Sequence, residues 1–331
     1  MLITKYVYKS TKAQTKLLKK MKTPLPEVTV LYGGLGAERE ISLRSGKAVY
    51  HALKSKGIYS LRLWDWKGES LEGQINPRQS IVFPALHGAS GEDGTVQKML
   101  ENNGVHYAGA NSTTSSLCID KIATKEALYS LDIDFAKQIV WEEKQDYSWS
   151  EIHAFLGVPI VVKPNDSGSS VGLGILHNEN DFTDFKENMS LSYPLLLESY
   201  LPGLDLTIGV VSGSPYGIIG IEPKGGLYDY AHKYEIGNTH YQCPAVISVE
   251  TEEKIRLQAQ QIVLHLGIRD FCRIDFKEDS SGNPVFLEVN TLPGLTETSL
   301  LPKSLACKGI NFEELCLLLL KPAVERFLSS Q

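Results

Sequence analysis

The stretch CRIDFKEDSSGNPVFLEVN, residues 272–290, reads as two strands joined by a turn at Ser281-Gly282. Arg273 and Asp275 lie two apart and share one face of the first strand; Glu288 and Asn290 do the same on the second. A hairpin centred on the Ser-Gly turn sets Asp275 opposite Glu288 and Arg273 opposite Asn290. Ile274, Phe276, Leu287 and Val289 then make the apolar face. Two opposed carboxylates repel, so replacing either by its amide should relieve strain, and the pair persists if a cation neutralises it. Asp275, Glu288 and Asn290 offer only oxygen, which suits magnesium or manganese rather than zinc. A solvated polar face with Arg273 bridging the two acids accounts for the same pattern.

Working outward from the hairpin, short apolar runs crowd the middle of the chain. Residues 158–163, 171–176, 195–200, 206–211 and 217–221 read as strands with short turns, which predicts antiparallel pairing. Toward the N-terminus, strands at 28–32, 59–64 and 80–85 alternate with helices at 41–53 and 95–102, which predicts a parallel, doubly wound sheet. Helices are also expected at 252–266 and 312–328, the latter around Pro322. The expected architecture is α/β followed by α+β: a basic extension at 1–26, an α/β domain at 27–112, and two α+β domains at 113–200 and 201–330.

With 331 residues, 42% hydrophobic and 22% charged, the composition is that of a globular protein and excludes disordered or fibrous classes. No apolar run approaches the ~20 residues of a membrane span. Residues 1–26 hold seven lysines and no acid, leaving 26 basic against 39 acidic residues elsewhere, a balance of −13. An acidic body argues against nucleic-acid partners. The extension reads as disordered or as a mis-called start, since Met21 offers a second initiator; a targeting or partner role is the alternative. Five cysteines without a C-x-x-C pair read as reduced, buried thiols of a cytosolic protein.

Several loops carry candidate chemistry. GGLGAERE (33–40) joins a strand to a helix but has Arg39 where a dinucleotide fingerprint needs its third glycine, and Glu38 and Glu40 would repel a pyrophosphate. A carboxylate there suits a substrate ammonium or simply caps the helix. His87 and Glu92, in LHGASGEDG (86–94), follow another strand and would share a crevice with Glu38. Lys121 and Lys125, four apart on a helix, are ordinarily solvated unless an anion lies nearby. Lys163 closes a strand before PNDSGSSVGLG, which lacks the Walker A pattern. Its backbone N–H groups and the Ser169 and Ser170 hydroxyls can fold over phosphates, although an ordinary hairpin explains the glycines and serines equally well.

Nine motifs in order then resemble the D-alanine–D-alanine ligase family of the ATP-grasp superfamily: LYGGLGAEREISLRSG, LHGASGEDGTVQ, DKIATKEAL, VKPNDSGSSVG, GLDLTIGV, YDYAHKY, CPA, RIDF and LEVNTLPGLTETSLLPK. The resemblance runs from Val28 to about Lys303. It implies an N-terminal doubly wound domain followed by two ATP-grasp domains, and ATP-dependent joining of two D-alanines through a D-alanyl phosphate for the bacterial cell wall.

Each matching position takes an implied role. Lys121, Lys163 and Ser170 would meet the ATP phosphates, and Glu198 and Asp205 the adenosine end. Asp275, Glu288 and Asn290 would hold two Mg²⁺ or Mn²⁺ ions. Glu38 would pair with the first ammonium, with His87 and Glu92 near the first substrate. Arg273 and the Gly294 N–H would stabilise the oxyanion, and Ser299 and Leu300 would receive the second carboxylate. Lys233 and Tyr234, on a loop bounded by Gly226 and Gly237, would close the site, with Tyr234 linked to Ser169 and Glu38. The resemblance implies a cytoplasmic homodimer without membrane insertion. Ala231, His232 and Glu297 depart from the family pattern, which keeps D-lactate or D-serine as alternative acceptors. A non-catalytic ATP-grasp sensor and a nicotinamide oxidoreductase are the readings from other classes.

Overall fold

The computed structural model describes residues 24–168, 172–188, 193–223 and 239–331. Most of the basic extension, Ser169, Ser170, and Ala231 to Tyr234 lie outside the described residues. Strand β1 (Glu27–Gly33), helix α1 (Arg39–Lys56), β2 (Leu61–Trp66), β3 (Ser80–Pro84) and α2 (Thr95–Asn102) build the first sheet. Its order is β2-β1-β3, all parallel. Parallel strands are covered on both faces, which is why β1 is an apolar run rather than an alternation. Helix α1 buries Ile41, Ser45, Val49, Ala52 and Leu53, a stripe at helical period, and stops at Gly57 in the left-handed conformation.

Two short capped helices follow, α3 (Ser112–Ile119) and α4 (Lys121–Leu128). Asn111 and Asp120 accept the orphan N–H groups of Thr114 and Ala123. Next come β4 (Asp134–Phe135), β5 (Gln138–Trp141), α5 (Trp149–Leu156), β6 (Ile160–Pro164), β7 (Gly174–Leu176), α6 (Glu179–Asn188) and β8 (Leu195–Ser199). Four of these strands form an antiparallel sheet in the order β5-β8-β6-β7. The chain continues through β9 (Asp205–Val211), β10 (Ser214–Pro223), β11 (Thr239–Gln242), α7 (Val249–His265), β12 (Phe271–Glu278) and β13 (Pro284–Asn290). The third sheet runs β11-β10-β9-β12-β13-β4, antiparallel except where β13 meets β4. Helices α8 (Leu300–Ala306) and α9 (Phe312–Ser329) close the chain. Leu315, Leu319, Ala323 and Phe327 of α9 join the core of the first sheet, so the C-terminus packs back on the N-terminal strands.

Three expectations change. The middle of the chain is less strand-dominated than its apolar runs suggest, because α5 and α6 intervene; α6 buries only Phe182, too narrow a stripe to read. The β12–β13 register slips after Asp275, so Phe276 faces Phe286, which takes the core place expected of Leu287. Of the five thiols expected to be buried, Cys243, just after β11, is exposed and Cys307, at the end of α8, is half-buried, with their Cα atoms 5.9 Å apart. Cys118, Cys272 and Cys316 are free and buried, and burial pushes their thiols up, Cys118 to about 12. Among the described residues no helix is long and apolar enough to cross a membrane.

Candidate active site

The hairpin pairs as expected up to the bulge: Arg273 opposite Asn290 and Asp275 opposite Glu288. Arg273 grips Asp275 with two bonds, Nε to Oδ1 at 2.8 Å and Nη2 to Oδ2 at 2.7 Å. Thr207 of β9, also opposite Asp275, donates to Oδ1 at 2.5 Å. Glu288 lies 3.5 Å from Lys121 Nζ. The acids therefore do not stand in bare repulsion. Each already has a cation, so amide replacement removes a partner rather than relieving strain.

These residues fit a hard divalent cation. Asp275 and Glu288 are register partners on adjacent strands, Asn290 stands two residues beyond Glu288, and Asn290 Oδ1 accepts from the Leu292 N–H at 2.9 Å, leaving it one further lone pair. Among the described residues no group of three or more His, Cys, Asp or Glu is placed to hold a metal ion, so the protein would supply only these few oxygens. So small a donor set suits Mg²⁺, which keeps water and phosphate ligands.

The lysines are not solvated. Lys121 and Lys125 are 6% and 1% exposed. Asp120 caps α4 and turns its first residue inward, where Lys121 Nζ donates to the Ser167 carbonyl at 2.8 Å. Lys125 contacts Glu198 Oε1, while Lys163 lies 2.7 Å from Glu198 Oε2. Burial alone would raise the Glu198 carboxyl; Lys163 and Lys125 outweigh it and hold the group down at about 2. Both oxygens of Glu198 are thus committed to lysines. Asp205 lies 2.7 Å from Lys277, its register partner.

From the first sheet, Glu38 is buried at the start of α1, and Gly88 leaves room for it: a Cβ on Gly88 would come within 2.7 Å of Glu38 Oε2. Arg39 binds Asp65 at 2.7 Å and the Gly34 carbonyl at 3.2 Å, so it ties the glycine loop to β2 where a dinucleotide fold needs space. Ser45 Oγ accepts the Leu295 N–H at 3.4 Å and lies 2.9 Å from His87 Nε2. The ring's other nitrogen, Nδ1, lies 3.5 Å from Glu92 Oε1, so His87 is held on both sides. Gly294 packs under Ser299, whose Oγ accepts the Thr296 N–H at 3.1 Å.

One pocket gathers His87 and Glu92 from the first sheet, Lys121 from α4, Arg273, Glu288 and Asn290 from the hairpin, and Gly294, Ser299 and Leu300 beyond it. Lys163, Glu198 and Asp205 lie outside this lining, as do Glu38 and Asp275. Tyr241 and Cys118 line it without having been singled out in the sequence. Ser45 and Gly88 were likewise missed, and Lys125, expected to be solvated unless an anion lay nearby, meets Glu198; a serine within a helix motif carries no mark of what it faces.

A parallel-sheet domain, a four-stranded antiparallel sheet and a six-stranded mixed sheet, with Lys121, Arg273, Glu288 and Asn290 lining one pocket, define an enzyme of the ATP-grasp class. Residues 64–110 match the family described as D-ala D-ala ligase N-terminus, and residues 124–321 that described as D-ala D-ala ligase C-terminus. The chain is 36% identical over 311 residues to the D-alanine–D-alanine ligase of Synechococcus sp. strain JA-3-3Ab, covering 90% of this chain and 94% of the relative. It is 38% identical over 295 residues to that of Nitrosospira multiformis, covering 89% and 95%. The crystal structure of the Bacillus anthracis D-alanine–D-alanine ligase complexed with ATP superposes with a TM-score of 0.79 at 28% identity, covering 93% of this chain and all of that one. The chain belongs to the D-alanine–D-alanine ligase family.

Proposed function

We propose that the protein joins two D-alanine molecules into D-alanyl-D-alanine for peptidoglycan synthesis, with ATP converted to ADP and phosphate. The observation that carries this reading is the convergence of His87 and Glu92 with Lys121, Arg273 and Glu288 in a single pocket. A carboxylate oxygen of the first D-alanine attacks the γ-phosphorus and the bond to the β-phosphate oxygen breaks, giving ADP and an acyl phosphate. The amine of the second D-alanine attacks the acyl carbon, phosphate leaves, and the amine loses a proton.

The chain's groups take the following parts. Lys121 and Lys163, with Ser170, hold phosphate oxygens, while Glu198 and Asp205 serve the adenosine end. Glu38 receives the first ammonium, and His87, fixed by Ser45 and Glu92, lies near the first carboxylate. Arg273 and the Gly294 N–H stabilise the tetrahedral oxyanion, where one such donor is typically worth ~3–4 kcal/mol. Ser299 and Leu300 receive the second carboxylate. Mg²⁺ or Mn²⁺, as two ions held by Asp275, Glu288 and Asn290, would neutralise charge on the transferring phosphate. Ser169, Lys233 and Tyr234 would shield the acyl phosphate from water. We assign the activity to a cytoplasmic homodimer built from a substrate domain at 27–112 and ATP-grasp domains at 113–200 and 201–330.

The test is phosphate release with D-alanine, D-lactate or D-serine as acceptor, with products read by mass spectrometry. D-alanine-dependent phosphate release with the dipeptide as main product is expected. ATP turnover indifferent to D-alanine would overturn the reading, and a depsipeptide product would move it to another acceptor.

A further inference from the structure

Lys125 is a buried charged group for which the proposed chemistry has no use. It sits on α4 with 1% of its side chain exposed, too deep to touch a nucleotide. Its Nζ contacts Glu198 Oε1 and donates to Gln138 Oε1 at 2.8 Å. Gln138 and Glu198 are register partners on β5 and β8, and Val161 of β6 also faces Glu198. Lys163, two residues beyond Val161, lies on that same face. Glu198 is thus shared by Lys125 on one oxygen and Lys163 on the other.

Charge counting gives the consequence. Two ammonium groups on one carboxylate leave one net positive charge in a wall nearly free of water. With Lys163 alone, Glu198 would form a neutral pair, and the Lys163 charge would be spent on it. We propose that Lys125 is a positioning residue for the nucleotide: by occupying one oxygen of Glu198 and balancing its charge, it leaves the Lys163 ammonium available to the ATP phosphates. This rests on the reading that Lys163 and Glu198 serve ATP. Burial lowers Lys125 and Glu198 opposes that, so the two are coupled and the effect of Lys125 should depend on Glu198 being present.

Calorimetric titration of Mg-ATP onto wild type, Lys125→Met, Glu198→Gln and the double variant tests this, together with KM for ATP and for D-alanine. Lys125→Met should weaken ATP binding about tenfold while moving the D-alanine KM less than about twofold. In the Glu198→Gln background the same change should alter ATP affinity less than about twofold, because no carboxylate is then left for Lys125 to share with Lys163. Lys125→Gln, which keeps the hydrogen bonds but not the charge, should repeat the loss and stands in if the methionine variant does not fold. Wild-type ATP affinity in both single Lys125 variants, or an equal loss with and without Glu198, would overturn the proposal. Absence of ATP binding by the wild type would instead remove the reading on which it rests.

Discussion

Glu198 and the Asp275–Glu288 pair are acids set against cations at one cleft, but the protein holds them differently. Glu198 is 4% exposed, with a lysine on each oxygen. Asp275 and Glu288 are 16% and 27% exposed, each with one cationic partner named here, Arg273 and Lys121. Both of those partners line the pocket and can be drawn to a substrate. The first arrangement is finished before any ligand arrives; the second is a set of charges that can change partners. The distinction separates a wall that shapes the field from a floor that takes part in the reaction.

The largest effect should come from the floor. Asp275→Asn should lower kcat by roughly 10²–10³-fold, the scale of losing one transition-state contact, with ATP affinity changed far less. It should also lower stability by about 1–3 kcal/mol, since Arg273 loses a bidentate acceptor. Wild-type turnover at saturating magnesium would end the assignment. A rise in melting temperature would show that repulsion, not the Arg273 clamp, dominates the pair.

Glu198→Gln probes the wall, and its signature is in stability against pH. The folded carboxyl is held at about 2, below its ordinary 4.5. A depressed acid stabilises the fold above 4.5, and that contribution is lost as pH falls from 4.5 through 2. The shift corresponds to on the order of 3 kcal/mol at neutral pH. The variant should therefore be less stable than wild type at pH 7 and converge with it near pH 2. Parallel acid-unfolding curves would mean that Glu198 is not the locked charge the wall requires.

Much of the floor was readable before the structure, and little of the wall. Alternation at period two and a Ser-Gly turn fix which side chains of β12 and β13 oppose each other, so Asp275 and Glu288 could be paired from spacing. The bulge could not be seen, because Phe286 and Leu287 are both apolar and either satisfies the pattern. Lys125 and Glu198 are 73 positions apart, and nothing in a helix-surface lysine reveals that a buried acid waits beneath it. The same holds for Gly88, which looks like any loop glycine until Glu38 is seen beside it. Local period reports neighbours on one element; the wall is made of contacts between elements.

A smaller effect should come from Gly88→Ala, which sharpens the comparison by disturbing an acid that belongs to neither group. Gly88 has φ +69°, and a Cβ would crowd Glu38 Oε2 at 2.7 Å. A non-glycine residue there costs on the order of 1 kcal/mol, and more if Glu38 cannot shift. The D-alanine KM should rise about tenfold while the ATP KM stays near wild type. Equal rises in both would show that the loop supports the whole cleft rather than the ammonium site.

The smallest effect is expected at Ser45, which touches neither acid cluster. It is fully buried and joins two parts of the pocket: its oxygen accepts the Leu295 N–H and lies 2.9 Å from His87 Nε2. The Leu295 bond is long at 3.4 Å, so its loss should cost little. The contact with His87 is shorter, and its loss leaves the ring held only on the Glu92 side. Ser45→Ala should then lower stability by about 1 kcal/mol and raise the D-alanine KM several-fold, roughly what one neutral hydrogen bond is worth. Because Ser45 lies far from the lysine wall in the bonding network, ATP affinity and the acid-unfolding curve should match wild type. Steady-state kinetics with each substrate varied in turn separates the outcomes. If the ATP KM moves as far as the D-alanine KM, the His87–Ser45–Leu295 link orders the cleft as a unit, and the division between a fixed wall and a reactive floor does not extend to the first-substrate side.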